Sequence, residues 1–112
     1  MASTDELWLV DFGEPYPGEP ASRRPALVLG PPDSFGSRFP LVIVAPLTTT
    51  HRAISLHVEV PADTATGLER TSYVQCELIR SVNSRRLLHK IGVVDGPTRW
   101  QVGAIVRTLL DH

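Results

Sequence analysis

Short apolar runs alternate with glycine- and proline-rich loops along most of the chain, and only its last stretch carries a helical period. In 7–12 (LWLVDF), Leu7 and Leu9 fall on one face while Trp8, Val10 and Phe12 fall on the other. Both faces are mostly apolar, which predicts a strand inside a sheet or one covered by a partner. Residues 26–29 (ALVL) are short and bounded by Pro25 and Gly30, as a buried strand is. Residues 41–46 (LVIVAP) are β-branched and apolar, a core strand that stops at its proline. In 56–60 (LHVEV), Leu56, Val58 and Val60 are predicted to face in, with His57 and Glu59 exposed. Residues 72–80 (SYVQCELIR) predict one further strand, with Tyr73, Gln75, Glu77 and Ile79 on one side.

A short helical turn follows over 83–88, capped by Asn83 or Ser84 and closed by His89, before a last short strand at 90–94. Asp95-Gly96-Pro97-Thr98 then opens a helix, with proline in the early position that tolerates it. Val102, Ile105, Val106, Leu109 and Leu110 recur at helical spacing and form one apolar stripe. The loops at 13–22, 33–40 and 61–70 are long for so small a chain, and the first is a candidate functional loop. The predicted architecture is a single domain over 1–112, mainly β with a C-terminal α-helix, built as a small bent antiparallel sheet or barrel.

Composition narrows the function classes. The 112 residues carry a net charge of −1 and 42% hydrophobic residues, so a disordered chain and a globally basic nucleic-acid binder are both excluded. Any polyanion must be held by local charge, and the first 22 residues hold five acids and no lysine or arginine. A single cysteine, Cys76, rules out an internal disulfide and fits a reducing compartment. Zinc spacings are absent, and neither a leader pattern nor a run of membrane length is seen, so a soluble cytoplasmic protein is expected, without metal or cofactor.

No GxSxG, P-loop or HExxH pattern is present. The Arg23-Arg24-Pro25 run offers different chemistry. Proline holds the residue before it extended, so Arg24 becomes a fixed guanidinium at the mouth of a strand, a preorganised anion site. Thr48, Thr49 and Thr50, beside His51 and Arg52, present hydroxyls just past the core strand at 41–46. If that strand pairs with the one following Arg24, then Glu19, Arg24 and Thr48 meet at one rim. A carboxylate, a fixed cation and a hydroxyl donor suit a phosphodiester and its pentavalent transition state. His51 is the one histidine placed as a candidate base. Arg80, Arg85 and Arg86 follow the fifth strand and could line the same groove as Arg23 and Arg24.

At these residues the chain resembles the MazF/PemK family of toxin endoribonucleases. LWLVDF is similar to the family's opening WxVDF strand, GEPASRRPALVL to its GSEQxGxRPxLVL segment, and LVIVAPLTTT to its strand ending in Pro-x-Thr-Thr. HVEVP, SYVQCELIRSV and RRLLHKIGVVD then keep the family order. The resemblance implies a small SH3-like (PemK/CcdB-like) barrel, a homodimer and a MazE-like antitoxin with a flexible acidic tail. It implies metal-independent, sequence-selective cleavage of single-stranded RNA, in which the substrate 2′-OH attacks its own phosphate to leave a cyclic phosphate and a 5′-OH. The family's catalytic arginine and threonine fall on Arg24 and Thr48, and its loop glutamate on Glu19. Arg23, Thr49, His51, Gln75, Glu77 and Arg80 complete the expected substrate contacts.

Three positions depart from the family pattern. Asp5 stands where glycine precedes the first strand, Pro20 replaces a glutamine in the loop, and Leu78 occupies a place where many members carry glutamine. The last two keep an alternative open: a non-enzymatic toxin or binding module on the same barrel, such as a topoisomerase-binding toxin.

Overall fold

Leu7 and Val10 are both fully buried, yet they lie on opposite faces of the first strand, in two separate apolar clusters. This arrangement requires a sheet with both faces covered. The computed structural model describes residues 2–14, 17, 22–32 and 39–111. Within these, the strands are β1 (Glu6–Asp11), β2 (Arg23–Gly30), β3 (Leu41–Thr48), β4 (His57–Val60), β5 (Ser72–Gln75), β6 (Arg80–Asn83) and β7 (Leu87–Val93), followed by helix α1 (Gly96–Leu110). They form one antiparallel sheet in the order β4-β5-β3-β2-β1-β7, with β6 alongside β3. β1 lies between β2 and β7, as its two apolar faces predict.

The first cluster joins Leu7, Leu27 and Leu47 to Val58 and Val60 of β4, with Ile91 of β7 packed against it. Strands from both ends of the sheet thus share one core, so the sheet curls around it in the manner of a small barrel. β4 and β7 close the order without pairing to each other. α1 covers this core with Val102, Ile105 and Val106, while Leu109 and Leu110 of the expected stripe remain exposed beyond it. The second cluster, Val10, Phe12, Ala26, Val28, Val42, Val44 and Val82, lies on the other face under Trp8 and Leu87.

The predicted ends of the helix hold. Asp95 caps α1 by accepting from the Thr98 backbone N–H at 2.9 Å. Asn83 likewise caps the turn Ser84–Arg86 through the Arg85 N–H. Asp5 adopts a φ of 74°, the left-handed conformation for which glycine is expected there. Aspartate tolerates that region better than most residues, and here its carboxylate also meets Arg99 Nε at 3.4 Å.

Four local expectations change. The stretch 72–80 is two strands, because Cys76–Leu78 forms a 3₁₀ turn between β5 and β6. Cys76 keeps to the core face of Val74 at the start of this turn, and the register against β3 shifts by three residues across it. β3 does not stop at Pro46 but runs to Thr48. Its proline coincides with the gap that the 3₁₀ turn leaves in the ladder on that side. His89 does not close the helical turn; it sits within β7 opposite Leu9. His57 is not exposed, for its side chain is only 3% accessible.

Candidate phosphate-binding site

Arg24 shares a face of β2 with Ala26 and Val28, since alternate residues point the same way. The register Ala26↔Pro46, continued two residues, sets Arg24 opposite Thr48. Across β3, Thr48 pairs with Tyr73, and Gln75 lies two residues along the same face of β5. Arg24, Thr48 and Gln75 are therefore brought together on one face of three adjacent strands, whose opposite face holds the larger core. Glu19 lies outside the described residues.

Arg24 donates from Nη1 to Gln75 Oε1 at 3.3 Å. Its Nε is buried and has no hydrogen-bond partner among the described residues. Burial holds the guanidinium pKa below its ordinary value. Arginine nevertheless stays charged at any physiological pH. The result is a cation pinned on one side, with one buried donor unmatched among the described residues. A buried unmatched donor is costly unless something fills it.

The Thr48 hydroxyl is oriented by the chain that follows it. Thr50 N–H donates to Thr48 Oγ1 at 3.2 Å, which leaves the hydroxyl hydrogen free for an outside acceptor. The same turn brings His51 over Tyr73, with ring centroids 4.9 Å apart and planes within 11°. His51 is exposed beside this rim, whereas Thr49, expected among the substrate contacts, lines a separate cavity with Pro25, Leu68 and Ile91.

The remaining expected contacts are arranged differently. Arg23 alternates to the opposite face from Arg24 and sits across from Asp11. Glu77, carried on the 3₁₀ turn rather than on the strand, meets His57 Nε2 at 2.9 Å. His57 itself lies opposite Gln75, and its Nδ1 is buried with no partner among the described residues. Arg80 stacks its guanidinium over Phe12, 5.4 Å from the ring centre. Arg86 donates to the Asp11 backbone oxygen at 3.3 Å. Arg80 and Arg86 therefore gather where β1 ends, on the flank of Arg24, while Arg85 is exposed.

Two residues of this neighbourhood carry little signal in the sequence. Tyr73 is marked only by its alternation with Gln75, and His57 looks like an outward strand residue until the turn at 76–78 folds Glu77 onto it. Cys76 offers no nucleophile, because burial first, and the nearby Glu77 charge second, push its thiol pKa up to about 11.

Comparison with known proteins shows the family. Residues 4–110 match the family model described as PemK-like, MazF-like toxin of type II toxin-antitoxin system. Endoribonuclease MazF6 of Mycobacterium tuberculosis is 34% identical over 113 residues, covering 99% of this chain and 98% of that protein. The crystal structure of MazF from Deinococcus radiodurans superimposes with a TM-score of 0.85 at 23% identity, covering 99% of this chain and 97% of the other. An endoribonuclease from a mycobacterial species, solved in complex with its cognate antitoxin, gives a TM-score of 0.79 at 22% identity, covering 99% and 96%. The family match spans nearly the whole chain, and the chain belongs to the PemK-like, MazF-like toxins of type II toxin–antitoxin systems.

Proposed function

We propose that the protein is a toxin endoribonuclease that cleaves single-stranded RNA at the Arg24–Thr48 rim. The observation that carries the site is the buried Arg24 Nε and the Thr48 hydroxyl hydrogen on one face, neither with an acceptor among the described residues. A phosphate oxygen supplies the acceptor that both lack. With Nη1 tied to Gln75, Arg24 offers Nε and Nη2 as a fork that fits a phosphodiester.

The chemistry follows from placing the scissile phosphate there. The 2′ oxygen attacks phosphorus, the bond to the 5′ oxygen breaks, and the products are a cyclic phosphate and a 5′-OH. One proton leaves the 2′-OH and one reaches the departing 5′ oxygen. Negative charge builds on the phosphoryl oxygens in the pentavalent transition state. A desolvated guanidinium and an oriented hydroxyl stabilise that charge without reorganising. No step calls for a metal ion.

The surroundings fit the same reading. Arg80 and Arg86 extend the positive surface beside Arg24, and the same groove suits the acidic tail of a MazE-like antitoxin. We place the working form as a cytoplasmic homodimer of this one domain. No helix among the described residues is long and apolar enough to cross a membrane. The test is incubation of the pure protein with total RNA in EDTA, followed by mapping of the new 5′ ends. Recurrent cuts at one short sequence support the enzyme; intact RNA removes it and leaves a binding module.

A further inference from the structure

Resting on the assignment of RNA to the Arg24–Thr48 rim, we infer that His51 is a nucleobase platform, with Tyr73 as its support. The base it takes is one of the two that flank the scissile phosphate.

The placement is built by backbone, not by chance proximity of two long side chains. Tyr73 is the residue directly opposite Thr48 across the β3–β5 ladder. Opposed residues in an antiparallel pair hold their Cβ atoms about 5 Å apart. The Tyr73 ring is thus a fixed neighbour of the hydroxyl proposed to hold the phosphate. Three residues beyond Thr48, His51 folds back on that ring and lies nearly parallel to it. The turn that brings it back is held by the Thr50 N–H on the Thr48 hydroxyl oxygen, so the hydroxyl and the stack are set by one hydrogen bond.

The stack has a closed side and an open side. Tyr73 is half-buried, while His51 is exposed. One imidazole face lies on Tyr73, and among the described residues the ring is otherwise exposed, with a face to offer a further planar ring. A flat, π-faced ligand with a phosphate one nucleotide's reach away is a nucleotide within a strand. Arg24 and Thr48 hold its phosphate, and His51 takes its base. Single-stranded nucleic acids are commonly held by this pairing of cation and aromatic face. Stacking tolerates any base, so this contact adds affinity and register, and leaves base identity to other groups.

The test is a binding cycle on an uncleavable ligand. The cleavage site is first taken from the mapped RNA ends. An oligonucleotide carrying that site is then made with a 2′-deoxy sugar at the attacking nucleotide. Two further versions lack the base on one side or the other of the scissile phosphate. Dissociation constants are measured for wild type, His51→Ala and His51→Phe. Loss of one stacked base on alanine substitution weakens binding by about 5- to 150-fold, and His51→Phe restores the affinity. The inference expects one of the two abasic ligands to bind wild type and His51→Ala equally, because the stack is already lost. If His51→Ala weakens the parent and both abasic ligands by the same factor, or weakens none, the platform is overturned while cleavage by wild type keeps the enzyme reading intact. If wild type neither binds nor cuts RNA, both fall together.

Discussion

Arg24 is anchored to Gln75 across an intervening strand, Nη1 to Oε1 at 3.3 Å. Gln75 is itself buried in β5. The contact fixes one arm of the guanidinium. On the proposed reading Gln75 acts through Arg24, as a positioning residue.

Replacing it should therefore damage turnover more than binding. Hydrogen bonds to charged groups contribute about 1.5–3 kcal/mol, so Gln75→Leu is expected to lower kcat by roughly 10- to 100-fold. KM should move much less, since Thr48 and the flanking arginines still hold the strand. Steady-state kinetics on a short RNA carrying the site separates the two. Equal loss in a variant whose Tm has also collapsed would point to the fold rather than to the anchor, so thermal melts accompany the assay.

A second expectation concerns the loop at 61–70, which lies against β7. A Cβ added at Gly92 would run into the backbone oxygens of Ala65 and Thr66. Backbone cannot swing aside as a side-chain tip can, and overpacking of this kind costs about 1–3 kcal/mol or more. Gly92→Ala should lower the urea midpoint clearly. Gly96→Ala, with open space around the added carbon, should leave it nearly unchanged.

The cap of α1 gives a pH signature. Hydrogen bonds from the Thr98 hydroxyl and backbone N–H hold the Asp95 carboxyl below its ordinary pKa. A group whose folded pKa is depressed stabilises the fold above its unfolded pKa, and that contribution fades as pH falls through the folded value. Wild type should therefore melt above Asp95→Ala at pH 6, and the gap should close as the pH drops below about 4. Asp95→Asn keeps a neutral cap and should show no such narrowing. A gap between wild type and Asp95→Ala that stays constant from pH 6 to 3 would contradict the cap's ionic character.

Most of the architecture was legible because its signals are local. The alternation of 7–12 placed β1 inside the sheet, and Asp95-Gly96-Pro97-Thr98 marked the start of α1. The meeting of Arg24 with Thr48 was also legible, since it needs only that β2 and β3 pair. What the pattern of residues could not carry was the 3₁₀ turn at Cys76–Leu78. SYVQCELIR alternates acceptably throughout, and nothing in its pattern marks the turn at Cys76–Leu78. That turn carries Glu77 off the strand and onto His57. The His51–Tyr73 stack was hidden for a different reason. It depends on how the chain leaves β3, through a side-chain-to-backbone bond that no periodicity records.

The central claim is that Arg24 and Thr48 together hold and stabilise the scissile phosphate. Its most direct measurement is the single-turnover cleavage rate of a defined RNA, in EDTA, for wild type, Arg24→Ala and Thr48→Ala. Melting curves confirm that each variant is folded. The account predicts that each substitution abolishes cleavage or lowers the rate by about 100-fold or more, the scale of losing a transition-state donor. Folded Arg24→Ala or Thr48→Ala protein that cuts the same RNA at the wild-type rate would contradict it.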